Sequence, residues 1–288
     1  MAVSNPTIPN TLSGAAAGTT INDLMQRLYD FFSTQVGGFT LSNVVGGPSA
    51  VTSFTATHSS GRQVNFRISG GAILVMIDPD GTIADSSAPG SPTNASPELV
   101  FVPASPTGIS TACGFAQYGD AILFYVKDTS AAFQQYCSHV GRIAVMDLAS
   151  DEEVFIDGWG ILGYIPNESP GSGLGDWGCV NAANSHCVIR MGESTWLPFT
   201  FVSTANVSDT SGNRRFGAID IHAGDSGSPT STSDPSVGEL NYIKIDGQTD
   251  AAPLGVPPST ASNQAWLRLN DANSNTRMVA LWNKGTTP

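Results

Sequence analysis

Near the start of the chain the apolar residues recur with a helical period. In TTINDLMQRLYDFFSTQ, Ile21, Leu24, Met25, Leu28, Phe31 and Phe32 fall three and four positions apart, the spacing that gathers side chains on one helix face. A helix is predicted from about Ile21 to Ser33, burying Leu24, Leu28 and either Phe31 or Phe32. Thr20 is placed to cap it, Asp23 lies in its first turn and Gly37-Gly38 ends it. Asp23, Gln26 and Arg27 fall largely off that face and are expected to be wetter.

After the helix the period becomes two. VTSFTATH (51–58), QVNFRIS (63–69) and AILVMID (72–78) read as short strands separated by SSGR and GG, and DPDG (78–81) reads as a tight turn. Further strands are expected at 121–127, 142–148, 153–156, 187–191, 197–202, 215–221, 240–245, 265–269 and 277–282, with a short helix at 129–138. The segment 84–98, ADSSAPGSPTNASPE, is polar and carries three prolines, a loop long enough to be functional or mobile. Other polar insertions lie at 166–186, 204–213 and 228–238. The expected fold is mainly β: a short N-terminal helix followed by an antiparallel β-sandwich or barrel-like domain with long polar loops. An arm and helix over 1–40 would precede a β-rich domain over 41–288, with 166–186 as the place where that domain would divide.

Composition narrows the function. Charged residues make up only 12% of the chain, about half the share of an ordinary soluble domain. With 31 Gly and 18 Pro, the composition favours turns and strands over helix interiors. A surface of hydroxyls and amides has few ions to desolvate when copies pack together. Net charge is −12, and the longest cationic cluster is Arg214-Arg215, which argues against nucleic acid as a partner. The opening MAVSNPTIPNTLSG has neither the basic nor the apolar region of a secretory signal. No run approaches the roughly 18–20 apolar residues of a membrane span. Synthesis and folding in a cytosol, with no membrane partner, are therefore expected. Of the four cysteines, Cys113, Cys137, Cys179 and Cys187, the last two could pair across a short loop, but a reducing compartment would keep all four as thiols.

One stretch spells a catalytic word. HAGDSGSPTST (222–232) contains Gly224-Asp225-Ser226-Gly227, and Thr55-Ala56-Thr57-His58 and Asp120 precede it in the order His58, Asp120, Ser226. These segments resemble chymotrypsin-like serine proteases, and the resemblance implies a nucleophile Ser226, a base His58 and an orienting Asp120. Three features depart from that family. Val44-Val45-Gly46-Gly47 lies too close to His58, no cysteine follows His58, and a polar low-complexity loop follows Ser226. The other account, and the one adopted for the sequence, is a turn in which Asp225 bonds local backbone N–H groups.

Other clusters lack the order that a site requires. Cys137-Ser138-His139 and His186-Cys187, with Cys179 nearby, show no zinc knuckle. Asp78-Pro79-Asp80-Gly81 and Asp151-Glu152-Glu153 lack the alternating oxygen ligands of a calcium loop, and both read as solvated turns. No cofactor or metal is expected. Trp159, Trp177, Trp196, Trp266 and Trp282 are scattered, as packing residues are, although Trp177 in GSGLGDWG offers a surface for a host glycan.

The block FYVKDTSAAFQQYCSHVGRIAVMD (124–147) resembles a pattern in structural proteins of tailed-bacteriophage virions. The matching positions are Phe124, Tyr125, Val126, Tyr136, His139 and Gly141. The helix with Leu24, Leu28 and Phe32 and the segment Met278–Trp282 with Asn283 are similar to the same group, whereas 166–186 departs from it. The resemblance implies a non-enzymatic tail, neck, baseplate or capsid-associated protein that assembles in many copies with itself and other virion proteins after synthesis in a host cytoplasm.

Overall fold

A computed structural model describes residues 20–47, 49–102, 112–127, 137–142, 158–164, 188–190, 196–203, 217–223, 236–246, 266–269 and 278–282. Helix α1 spans Ile21–Thr34 and begins with a capping box: Thr20 Oγ1 accepts from Asp23 N, while the Asp23 carboxylate accepts from Thr20 N. Both partners satisfy groups that the first helical turn leaves without intrahelical bonds. Phe31 and Phe32 are both buried, with Leu24, Met25 and Leu28. Gln26 is half-buried rather than wet, because its Oε1 accepts from Val51 N at 3.0 Å and its Nε2 donates to Asp30.

Two antiparallel sheets follow. The first is a meander of β1 (Phe39–Val45), β2 (Ser53–His58), β3 (Gln63–Ser69), β4 (Ala72–Asp78) and β5 (Leu99–Val102). The second begins with β6 (Ala112–Tyr118), β7 (Ala121–Lys127), β8 (Cys137–Arg142), β9 (Trp159–Tyr164) and β10 (Val188–Arg190). It continues through β11 (Trp196–Ser203), β12 (Gly217–Ala223) and β13 (Ser236–Asp246). There the order breaks, and β15 (Met278–Trp282) lies between β13 and β14 (Trp266–Leu269). The chain is thus mainly β, with a short N-terminal helix and two antiparallel sheets. Strand β1 runs across position 40, and α1 shares one hydrophobic cluster with residues of both sheets.

Register sorts the first sheet into two faces. Phe54 pairs with Phe66 and Phe66 with Val75, while Ala56 pairs with Val64 and Val64 with Ile77. These residues are buried, and Phe32 of α1 packs on both Phe54 and Phe66. The alternate positions Ser53, Thr55 and Asn65 form the other face, since successive side chains point to opposite sides. They are buried as well, because the segment between β4 and β5 is bonded across them. Ser86 Oγ lies 2.8 Å from Ser53 Oγ and donates to Asn43 O, and Ser86 O accepts from Asn65 Nδ2 at 3.0 Å. Ser96 accepts from Ile77 N, and the Arg67 guanidinium grips the Glu98 carboxylate through Nε and Nη2. The polar residues of 84–98 therefore serve as the fasteners of that face.

Several expectations need correction. The turn at 78–81 is not a solvated one at its first residue: Asp78 is fully buried and accepts from the N–H groups of Asp80 and Thr82. Cys137 and Ser138 belong to β8 instead of a helix, and β13 begins at Ser236, inside the expected loop 228–238. Strands β1, β5, β6 and β9 were not expected. The segment 153–156, the remainder of 142–148 and residues 129–136 lie outside the described residues.

Candidate functional site

His58 ends β2, where the chain must reverse within three residues. Gly61 N donates to His58 O and His58 N to Arg62 O, each at 2.8 Å, which closes a hairpin over Ser59, Ser60 and Gly61. Gly61 takes φ +90, the left-handed position such a loop places on glycine. Asp120 sits on the second sheet, in the two-residue turn between paired Tyr118 and Ala121. The turn after the helix meets both: Gln117 bonds Gly37 N and Gly37 O, and Ser59 N donates to Gly38 O.

These turns bring His58 Nε2 to 3.1 Å from Asp120 Oδ1. The other imidazole nitrogen, Nδ1, lies 2.8 Å from Ser60 Oγ and 3.2 Å from the backbone N–H of Ser60. A backbone N–H can only donate, so Nδ1 carries the lone pair and Nε2 carries the proton directed at Asp120. Aromatic rings fix the imidazole plane, with Phe39 at 5.0 Å and Trp159 at 5.2 Å between centroids. Arg62 lies over the Trp159 ring at 5.5 Å and donates through Nη1 to Ser60 Oγ at 3.2 Å. Arg142 adds a second cation, 3.6 Å from Asp120 Oδ2. The His58 side chain is only 10% exposed and that of Asp120 30%, whereas Ser60 is exposed. A shielded His–carboxylate pair thus ends in an accessible hydroxyl.

Of the residues singled out in the sequence, the structure joins His58 and Asp120. Ser226, Trp177, Cys179, His186, Cys187 and Asp151–Glu153 lie outside the described residues. His139 is buried in β8, and burial pushes its imidazole down to about 4 against the smaller opposing effect of the Gly141 carbonyl. Among the described residues no three His, Cys, Asp or Glu side chains gather as metal ligands. Sequence reasoning missed Ser60, Arg62, Trp159 and Arg142. Only Ser60 had a local signal, since a serine two positions after a histidine in a tight turn lies within reach of Nδ1. No protein family, no curated protein and no solved structure matches the chain.

Proposed function

We propose that the protein is a non-enzymatic structural component of a tailed-phage virion, assembling in many copies through its β-rich part. The observation that carries this reading is the outer strand β1, which has one neighbour among the described residues and exposes Val44 at 40% and Val45 at 39%. A strand edge with unpaired backbone groups is a template for association, and a chain with 12% charged residues has few ions to desolvate there. The resemblance at 124–147 supplies the virion context. The finer architecture proposed is a sandwich-like packing of the two sheets, supported by the hydrophobic cluster that both contribute to. Partners are further copies and other virion proteins, with neither nucleic acid nor membrane; a host glycan at Trp177 is a subsidiary proposal. Mass spectrometry of purified particles is expected to find the chain at high copy number, and its absence would remove the proposal.

A second function, a chymotrypsin-like endopeptidase using Ser226, His58 and Asp120, draws on the His58–Asp120 contact alone, and that contact is made through Nε2 where the chymotrypsin-like arrangement sets Nδ1 against the carboxylate. A fluorophosphonate probe would then label Ser226, and His58→Ala would abolish the label.

A further inference from the structure

We propose that Ser60 is the nucleophile served by the His58–Asp120 pair, making this turn a hydrolytic site for carboxylic esters. The proposal shares its base and carboxylate with the endopeptidase reading but assigns the reacting hydroxyl to a different residue.

The argument rests on which nitrogen faces which group. An activated serine needs a base within about 2.6–3.2 Å of its hydroxyl, and that base must be oriented by a third group. Ser60 Oγ lies 2.8 Å from the lone-pair nitrogen Nδ1, and the opposite nitrogen is directed at Asp120. Transfer of the Ser60 proton to Nδ1 produces an imidazolium, and the Asp120 carboxylate at 3.1 Å stabilises that charge. The Ser60 N–H shares the Nδ1 lone pair at 3.2 Å, the longer of the two contacts, and fixes the required tautomer. Arg62 Nη1, 3.2 Å from the same hydroxyl oxygen, favours negative charge there. Phe39 and Trp159 hold the ring, so its orientation persists without substrate.

The chemistry balances without a redox partner. Ser60 Oγ attacks the ester carbonyl carbon as its proton passes to His58 Nδ1. The carbon–alkoxy bond then breaks, and the departing alcohol takes that proton. Water attacks the resulting acyl-serine, giving one proton to Nδ1. The Oγ–carbon bond breaks, the acid leaves and Ser60 recovers its proton. Because Ser60 is exposed, the ester can be part of a small molecule or of a larger one presented to the turn.

The test is a fluorophosphonate probe applied to the full chain, with the adduct located by peptide mass spectrometry. Labelling is expected on Ser60, absent in Ser60→Ala and His58→Ala, and retained in Ser59→Ala. Asp120→Asn should slow labelling by about tenfold or more, while circular dichroism and melting check that each variant is folded. A failure of His58→Ala to fold leaves the decision to Ser60→Ala, whose altered side chain is exposed. An adduct on Ser226 alone would overturn the assignment and support the endopeptidase, and no adduct anywhere would remove both. Labelling of Ser60 at an unchanged rate in folded Asp120→Asn would also overturn it. Membership of the virion is decided separately by particle composition, whereas a Ser60 adduct would replace the non-enzymatic part of that proposal with a structural protein that carries a hydrolytic turn.

Discussion

Phe31 of helix α1 stacks on Phe115 of β6, with ring centroids 6.0 Å apart and planes inclined by 19°. Its neighbour Phe32 contacts Phe66 of β3 at 5.4 Å. Adjacent residues of one helix therefore reach the two sheets separately. The circuit closes through Phe66–Phe101, Phe101–Phe124 and Phe124–Phe115. Phe31→Ala is expected to destabilise the protein by about 3–5 kcal/mol. A double-mutant cycle with Phe115→Ala should show coupling of about 0.5–1.5 kcal/mol. Urea unfolding of the four proteins measures both, and additive losses would show that the stack contributes no more than its burial.

Leu28 is fully buried in the same helix. Leu28→Ala should cost about 2–5 kcal/mol. A parent-like melting temperature would show that α1 does not belong to the core.

The capping box makes a smaller and pH-dependent contribution. Thr20→Ala should cost about 1 kcal/mol. The backbone N–H and hydroxyl of Thr20 hold the Asp23 carboxyl below its ordinary 3.8. Because the folded-state value is lowered, that stabilisation is present above the ordinary value and fades as pH falls through the folded one. The gap between parent and Thr20→Ala in thermal melts should accordingly narrow at acid pH.

His139 acts in a higher pH window. The imidazole of the unfolded chain titrates near 6.5, and the buried one near 4. Below about 6.5 the unfolded chain takes up a proton that the folded one resists, so stability falls as pH drops and levels off below about 4. The full loss is on the order of 3 kcal/mol. His139→Gln should flatten this part of the curve, measured as the difference between urea midpoints at neutral and mildly acid pH.

Gly141 supports the position of Asp120. It adopts φ +129, and a Cβ added there would lie 2.3 Å from Asp120 O and 2.8 Å from Ala121 Cα. Gly141→Ala must therefore displace the turn that carries Asp120. The variant should melt lower than the parent, and its His58 ring resonances should shift in NMR spectra. Unchanged resonances would mean that the β6–β7 turn does not set the His58–Asp120 contact.

Helix α1 was legible in the sequence because its apolar spacing, its cap and the glycines beyond it all agree, and each is a local property. Strands β2 and β3 were legible for the same reason, since their polar and apolar residues alternate over seven positions or fewer, and β4 was legible as a short apolar run between Gly70-Gly71 and the DPDG turn. The two-sided burial of that sheet was not legible, since Ser53, Thr55 and Asn65 look solvent-facing until Ser86 arrives to bond Ser53 and Asn65, with Thr55 donating to Asn65. Strands β6 and β9 carry little signal of their own. Their sequences ACGFAQY and WGILGY are interrupted by small residues, and their ladders come from pairing with β7 and β8. His58 and Asp120 were recognisable as residue types in a suggestive order, but no local pattern specifies which nitrogen meets which oxygen. Periodicity and capping act over a few residues and can be read from neighbours along the chain. The partners of His58, by contrast, were decided by two turns from different sheets, which only the packed core brings together.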